Sequence, residues 1–146
     1  MTVADLRIAL PSVCKPEMRP IASIPPSVFL VDDDQALRTA LKFSLELEGF
    51  DVRTYASGED LLRARFPRRG GCLVLDQNLP GLTGLEALSV LRSRAINLPA
   101  LLITSHLTAA LKDTAKQAKA TVVEKPLLGD VLVGCIWRAL DEAKAV

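Results

Sequence analysis

The chain has 146 residues, of which 49% are hydrophobic and 24% are charged, and its formal net charge is +1 at pH 7. This length suits one domain with a real core, so no second domain is expected. The near-neutral charge gives no reason to expect direct nucleic-acid binding or a membrane surface as partner. Three widely spaced cysteines fit neither a disulfide framework nor a zinc site, and no apolar run approaches membrane-spanning length. We therefore predict a cytoplasmic protein.

Residues 1–27 contain five of the nine prolines. This density prevents a regular helix and predicts an extended arm before a domain over residues 28–146. Within the arm, Leu6, Ile8 and Leu10 alternate with other residues, as in a short strand. Two interpretations stay open: an unpaired leader, or a strand that joins a sheet edge or a second chain to form a homodimer.

From residue 28 onward, short apolar strands alternate with helical segments five times. Strands are predicted at about residues 28–31, 51–55, 72–75, 99–103 and 121–123, with helices in the gaps. Such alternation predicts an α/β domain in which helices cover both faces of a doubly wound parallel sheet.

Several helix boundaries can be predicted from capping residues. The first helix, near residues 35–48, places Leu37, Leu41 and Leu45 on one face, and Gly49 supplies its left-handed end. The last helix is predicted over about residues 127–144. The other helices should begin at hydroxyl residues, two of them in capping boxes: Ser57 with Asp60, Thr83 with Glu86, and Thr108.

Polar side chains follow four of the predicted strands. Asp32 and Asp33 follow the first strand, Asp76 the third, Thr104 the fourth and Lys125 the fifth. The carboxyl ends of parallel strands share one edge, and strands one and three meet at its crevice, so we expect the three carboxylates to cluster there.

Such a cluster has a specific chemistry. Three carboxylates in one crevice repel one another, and a divalent cation with hard oxygen ligands resolves the repulsion; Mg²⁺ fits best. An aspartate beside such an ion, here Asp76, can attack phosphorus and form an acyl phosphate. The amine of Lys125 and the hydroxyl of Thr104 are the expected donors to the transferred phosphoryl group.

The motifs, in order, resemble the receiver domain of the two-component response regulators: Asp32-Asp33, Asp76 followed by Leu79-Pro80-Gly81, Thr104-Ser105 and Lys125-Pro126. The resemblance covers residues 28 to about 144. It implies a flavodoxin-like (βα)5 fold, with a parallel five-stranded sheet in the order 2-1-3-4-5. It also implies a bacterial phosphorelay signalling module rather than an enzyme with an external substrate.

The resemblance further implies roles for the clustered residues. Asp76 would accept a phosphoryl group from a sensor histidine kinase or a histidine phosphotransfer protein. Mg²⁺ would be held by Asp33, Asp76 and the backbone carbonyl of Asn78, with Asp32 assisting through water. Lys125 would pair with the phosphoryl group.

The sequence departs from the family in the region that would switch. Thr104 would move toward the phosphoryl group and shift the following loop, and family members usually turn an aromatic residue inward as it moves. Here that position is Val122, and Ala118-Lys119 replaces the usual Ala-Gly pair. These departures motivate the alternative of a degenerate receiver that acts as a phosphorylation-independent protein-interaction module.

A third hypothesis is a phosphatase similar to the haloacid dehalogenases, because Asp32 and Asp34 form an Asp-x-Asp motif. That family also requires a late acidic metal pair. Only Asp130, Asp141 and Glu142 follow Lys125. Asp76 would then have no role, so this hypothesis ranks last.

Overall fold

The computed structural model describes residues 24–127 and 130–144. Within these residues, five strands alternate with five helices. The strands are β1 (Ser27–Val31), β2 (Asp51–Tyr55), β3 (Gly71–Asp76), β4 (Ala100–Thr104) and β5 (Ala120–Glu124). The helices are α1 (Gln35–Leu47), α2 (Gly58–Leu61), α3 (Gly84–Ser93), α4 (Ala109–Gln117) and α5 (Val131–Lys144). The predicted arm lies mostly outside the described residues, so its pairing and the domain boundary stay predictions.

The sheet is parallel throughout and has the order β2-β1-β3-β4-β5, which confirms the predicted order. β3 lies in the centre, and all six of its residues are buried, as expected for a parallel strand covered on both faces. Ser27 at the start of β1 pairs with Asp51 of β2 and with Gly71 of β3. Because the winding direction reverses between β1 and β3, a crevice opens at the carboxyl ends of these two strands.

The core consists of two apolar layers, one on each face of the sheet. Alternate strand residues point to opposite faces, so Val28 and Leu30 enter one layer while Phe29 and Val31 enter the other. The first layer lies under α1 and α5, and the second lies under α2, α3 and α4. Among the described residues, no helix combines the length and the apolar character needed to cross a membrane.

The ends of α1 follow the prediction. The Asp34 side chain accepts a hydrogen bond from the Leu37 N–H (3.2 Å) at the start of the helix. At its end, Gly49 has φ +98°, and the Phe50 N–H donates to the Leu45 carbonyl (3.2 Å). This is the glycine-terminated helix end that the sequence predicts.

The two predicted capping boxes differ. At α3 the box is complete: Thr83 Oγ1 accepts from the Glu86 N–H (3.1 Å), and Glu86 Oε1 accepts from the Thr83 N–H (2.9 Å). At α2, Ser57 Oγ accepts from the Asp60 N–H (3.0 Å), but the Asp60 carboxylate pairs with Arg63 (3.3 Å). Only the hydroxyl half of the second box is therefore present, because the nearby guanidinium takes the carboxylate.

The last helix begins later than predicted. It starts at Val131 rather than near residue 127, and Leu127 lies in an irregular segment. The Asp130 carbonyl accepts the N–H of Gly134 (2.9 Å), and aspartate is favoured at a helix start. Residues 128 and 129 are outside the described residues. Trp137 packs against Phe50 with ring centroids 4.5 Å apart, so it is a packing residue as predicted.

Two further helices end with a residue in the left-handed region that is not glycine. Ala95 after α3 has φ +65°, and Lys119 after α4 has φ +61°. The Ile96 N–H donates to the Leu91 carbonyl (3.0 Å), so α3 ends in the same hydrogen-bond pattern as α1. A side chain in this region carries a steric cost that glycine avoids.

Arg92 near the end of α3 holds several backbone segments together. Its guanidinium donates to the carbonyls of Ile96 (2.8 Å) and Leu98 (2.7 Å) before β4, and to those of Ala118 (2.8 Å) and Lys119 (3.0 Å) after α4. Burial lowers the pKa of Arg92. α4 itself has only Ala115 fully buried, so this guanidinium is a principal connection at the end of α4.

Candidate phosphoacceptor site

Three carboxylates converge at the carboxyl edge of the sheet, as the sequence predicts. Asp32 and Asp33 follow β1, Asp76 ends β3, and one oxygen from each lies within 4.8 Å of the others. Asp32 and Asp76 are each only 5% exposed, whereas Asp33 is exposed. The crevice therefore collects negative charge that is partly removed from water.

Each oxygen of the Asp76 carboxylate has a hydrogen-bond donor. Oδ1 accepts from the Asn78 N–H (3.0 Å), and Oδ2 accepts from Lys125 Nζ (3.3 Å). The Lys125 N–H in turn donates to the Thr104 carbonyl (2.7 Å), which extends the pairing of β4 with β5 by one residue. The sheet thereby brings the lysine to the carboxylate across 49 residues of sequence.

Asp32 is held by backbone contacts on either side. Its N–H donates to the Tyr55 carbonyl (3.2 Å), its Oδ1 accepts from the Asp34 N–H (2.9 Å), and its carbonyl accepts from Arg38 Nη1 (2.6 Å). Burial raises the pKa of Asp32, and the charge of Asp76 raises it further. The hydrogen bond from the Asp34 N–H and the charge of Lys125 lower it. The raised pKa therefore comes chiefly from burial and then from the neighbouring carboxylates, and it makes the charged form of Asp32 costly in the folded protein.

Thr104 lies on the same edge and is buried. Its Oγ1 accepts from the His106 N–H (3.1 Å), and its hydroxyl is positioned to donate to the His106 carbonyl (3.4 Å). The hydroxyl therefore holds the start of the loop between β4 and α4. Any turn of this side chain would alter the path of that loop.

The donor set fits Mg²⁺. Carboxylate oxygens from Asp32, Asp33 and Asp76 are the hard ligands that this ion prefers, and the exposed Asn78 lies two residues after Asp76. The Asp-x-Asp reading fits less well, because the Asp34 carboxylate caps α1 rather than facing this cluster.

Sequence reasoning missed two side chains that shape the site. Gln77 Oε1 accepts from the Leu85 N–H (2.8 Å), and Glu59 Oε2 accepts from the Leu82 N–H (3.3 Å). The position of Gln77 directly after Asp76 was a signal that could have found the first. No pattern in the sequence marks Glu59, which acts across 23 residues.

The switch region keeps the departures noted in the sequence. Val122 is partly buried and packs against the second apolar layer, so an aliphatic side chain stands at the position where the resemblance implies an aromatic one. Lys119 adopts the left-handed conformation that a glycine would adopt without steric cost.

Comparisons with known proteins agree with this geometry. The family described as response regulator receiver domain matches residues 28–136. The transcriptional regulatory protein FixJ of Rhizobium meliloti is 34% identical over 120 residues, which cover 82% of this chain. The C4-dicarboxylate transport transcriptional regulatory protein DctD of the same organism is 34% identical over 125 residues, which cover 85% of this chain.

Solved structures give the same result. The crystal structure of FixJ-N has a TM-score of 0.73 and 33% identity, and the match covers 82% of this chain and 96% of that one. The chemotaxis protein CheY4 of Vibrio cholerae has a TM-score of 0.71 and 27% identity, with coverage of 80% and 100%. The match spans 59% of the length of FixJ and 27% of that of DctD. The chain therefore belongs to the response regulator receiver domain family, a family of two-component signalling domains rather than classical enzymes.

Proposed function

We propose that this receiver accepts a phosphoryl group on Asp76 from a histidine kinase or a histidine phosphotransfer protein, and that it does so with Mg²⁺ in the cytoplasm. One observation carries the proposal. The Asp76 carboxylate is buried at the end of the central strand, lies within 4.8 Å of two other carboxylates, and is paired with Lys125. This arrangement supports a nucleophile with a cation site and a fixed amine beside it.

The transfer follows from these contacts. One oxygen of Asp76 forms a bond to phosphorus as the P–N bond of the phosphohistidine breaks, and the electron pair of that bond leaves with the imidazole nitrogen. Lys125 then stabilises the negative charge on the phosphoryl oxygens. Thr104 supplies a hydroxyl once it turns away from His106, and that turn changes the loop before α4.

The metal would be held by Asp32, Asp33, Asp76 and the backbone carbonyl of Asn78. When bound, Mg²⁺ supplies positive charge that neutralises the carboxylates and the phosphoryl oxygens. The Asp76 carboxylate could then meet an anionic phosphoryl donor without the repulsion that three uncompensated carboxylates impose.

Intact mass spectrometry tests the proposal. Wild type incubated with Mg²⁺ and acetyl phosphate or phosphoramidate should gain one phosphoryl group, and a chelator should prevent the gain. Asp76→Asn should gain none. Asp34→Asn is the matched control, because it removes a neighbouring carboxylate that faces away from the cluster, and it should be phosphorylated like wild type.

The alternative function is a protein-interaction module that works without phosphorylation. The observation that favours it is Val122, which leaves the switch without an aromatic side chain. Folded wild type that gains no phosphoryl group and binds no beryllofluoride would support this alternative and contradict the proposal. An adduct on wild type that is absent from Asp76→Asn would contradict the alternative.

The proposed partners are the phosphoryl donor and an unidentified output protein, without direct contact to nucleic acid or membrane. Homodimer formation through the arm is a separate proposal. Removing residues 1–27 should lower the mass measured by light scattering if the arm pairs two chains. An unchanged mass would remove that proposal.

A further inference from the structure

A single residue, Gln77, holds both ends of the loop between β3 and α3. Its N–H donates to the Ile103 carbonyl (2.8 Å), which continues the sheet beyond Asp76. Its carbonyl accepts from the Gly84 N–H (3.4 Å), and its side-chain Oε1 accepts from the Leu85 N–H (2.8 Å). The chain therefore leaves the sheet at Gln77 and returns against the same residue at the start of α3.

A second residue, Glu59 of α2, holds the outer part of this loop. Its Oε2 accepts from the Leu82 N–H (3.3 Å). Gly81 has φ +76°, and a Cβ built there would lie 2.7 Å from the same oxygen. The loop and the carboxylate are therefore in direct contact, and only glycine fits between them without a shift.

Asn78 lies between these two points. Its N–H donates to Asp76 Oδ1 (3.0 Å), and the next residue, Leu79, is buried in the second apolar layer. Gln77 therefore holds the backbone directly before Asn78, and Glu59 holds it at Leu82, four residues beyond. The Asn78 side chain itself is exposed and takes no part in the contacts that Gln77 and Glu59 make with the loop.

We propose that Gln77 and Glu59 are positioning residues that preorganise the backbone of Asn78 for Mg²⁺. The inference rests on the proposed function, since it concerns the same metal site. When a ligand oxygen is already in place, less conformational entropy is lost as the ion binds. The apparent affinity is therefore lower when the loop is correctly placed in a smaller fraction of the molecules. Neither side chain needs to touch the ion.

A purely structural role for Gln77 must be separated from this one. Its bond to Leu85 satisfies one of the free N–H groups at the start of α3, while Thr83 satisfies that of Glu86. Loss of a helix cap lowers stability wherever it occurs. Only loss of the connection between the sheet and the loop should also weaken Mg²⁺ binding.

The test compares Gln77→Met, which keeps the length of the side chain but removes the acceptor, with Gln77→Glu, which keeps an acceptor. Thr108→Ala is the matched control, because Thr108 Oγ1 accepts from the Leu111 N–H (3.0 Å) at the start of α4, outside the loop. Each variant is measured for Mg²⁺ affinity by calorimetry, for stability in urea, and for amide hydrogen exchange at Leu85.

Gln77→Met should bind Mg²⁺ about 2- to 10-fold more weakly than wild type, the range expected for one lost hydrogen bond, with faster exchange at Leu85. Gln77→Glu should bind at least as tightly as wild type. Thr108→Ala should lose stability and keep wild-type affinity. For the outer contact, Glu59→Met should weaken Mg²⁺ binding more than Glu59→Gln, which retains an acceptor.

Wild-type affinity in Gln77→Met, or an equal loss in Thr108→Ala, would overturn the inference and leave the proposed function intact. Absence of Mg²⁺ binding by wild type would contradict the metal step of the proposed function, and the inference would fall with it. The two failures are therefore distinguishable in one set of titrations.

Discussion

The crowding of carboxylates at the site predicts that replacing Asp32 by asparagine stabilises the metal-free protein. The substitution keeps the shape of the side chain and an oxygen that can accept from the Asp34 N–H. It removes one negative charge that burial and Asp76 make unfavourable. The same change removes a proposed ligand, so the stability gained without Mg²⁺ should be accompanied by loss of the response to Mg²⁺.

The magnitude follows from the separation of the charges. Carboxylate oxygens of Asp32 and Asp76 lie within 4.8 Å of each other. At that distance two unit charges repel by about 0.9 kcal/mol in water and by about 3.5 kcal/mol at an effective dielectric constant of about 20. Lys125, 3.3 Å from Asp76, offsets part of this. We expect Asp32→Asn to raise the free energy of unfolding by about 1–2 kcal/mol in chelator.

Urea unfolding with and without Mg²⁺ measures the effect, and Asp34→Asn is the control. At Mg²⁺ concentrations ten times its dissociation constant, wild type should gain about 1.4 kcal/mol from binding, as should the control. Asp32→Asn should gain much less. In chelator, Asp34→Asn should stay close to wild type, because its amide can still cap α1.

The pH dependence has a definite sign. The pKa of Asp32 in the folded protein is raised above its ordinary value of 3.8, so between these two values the folded state binds more protons than the unfolded state. The penalty is fully present above the folded pKa and disappears as pH falls through it. The advantage of Asp32→Asn in chelator should therefore shrink in acid.

Two results would refute this reasoning. One is an Asp32→Asn variant that is less stable than wild type in chelator at neutral pH while folded by circular dichroism. The other is an Asp34→Asn variant that gains as much as Asp32→Asn, since the gain would then come from net charge and not from the cluster.

Three further predictions concern the free energy of unfolding measured in urea. Gly84→Ala should lower the free energy of unfolding by roughly 1–3 kcal/mol and slow phosphorylation, because the added Cβ would lie 2.6 Å from the carbonyl oxygen of Asp76. Unchanged stability and an unchanged phosphorylation rate would contradict this close packing. Lys119→Gly should raise the free energy of unfolding by about 0.5–1 kcal/mol by relieving the left-handed conformation, and a loss would contradict this explanation. Leu45→Ala should lower the free energy of unfolding by about 2–5 kcal/mol, whereas Leu47→Ala, on the exposed side of α1, should change it by less than about 0.5 kcal/mol. Similar losses in both variants would contradict the assignment of Leu45 to the buried face and Leu47 to the exposed face of α1.

The parts of the structure that depend on local pattern could be predicted from the sequence. Short apolar runs that alternate with helical segments located the strands, and the shared carboxyl edge of a parallel sheet placed Asp32, Asp33 and Asp76 together. The capping box at Thr83 was complete because both partners lie within one turn. At Ser57 the same pattern was only half right, since Arg63 competes for Asp60 through a contact that the pattern does not encode.

Contacts between distant segments could not be predicted in the same way. Glu59 and Arg92 meet backbone groups that belong to other elements, and a backbone carbonyl or N–H carries no sequence signature. The late start of α5 was missed for a different reason: the apolar pattern extends to Leu127, while the favoured starting residue, Asp130, lies within it. The roles of the site residues stay predictions until the chemistry is measured.

Arg92 has a mechanical consequence for α4. Four carbonyls share this guanidinium, and two of them belong to the residues that directly follow α4. The opposite end of the helix adjoins the loop that Thr104 holds, and only Ala115 along its length is fully buried. A displacement that starts at Thr104 would therefore tilt α4 about the end that Arg92 holds. Thr108, at the start of the helix, would move farthest, and Lys119 would move least.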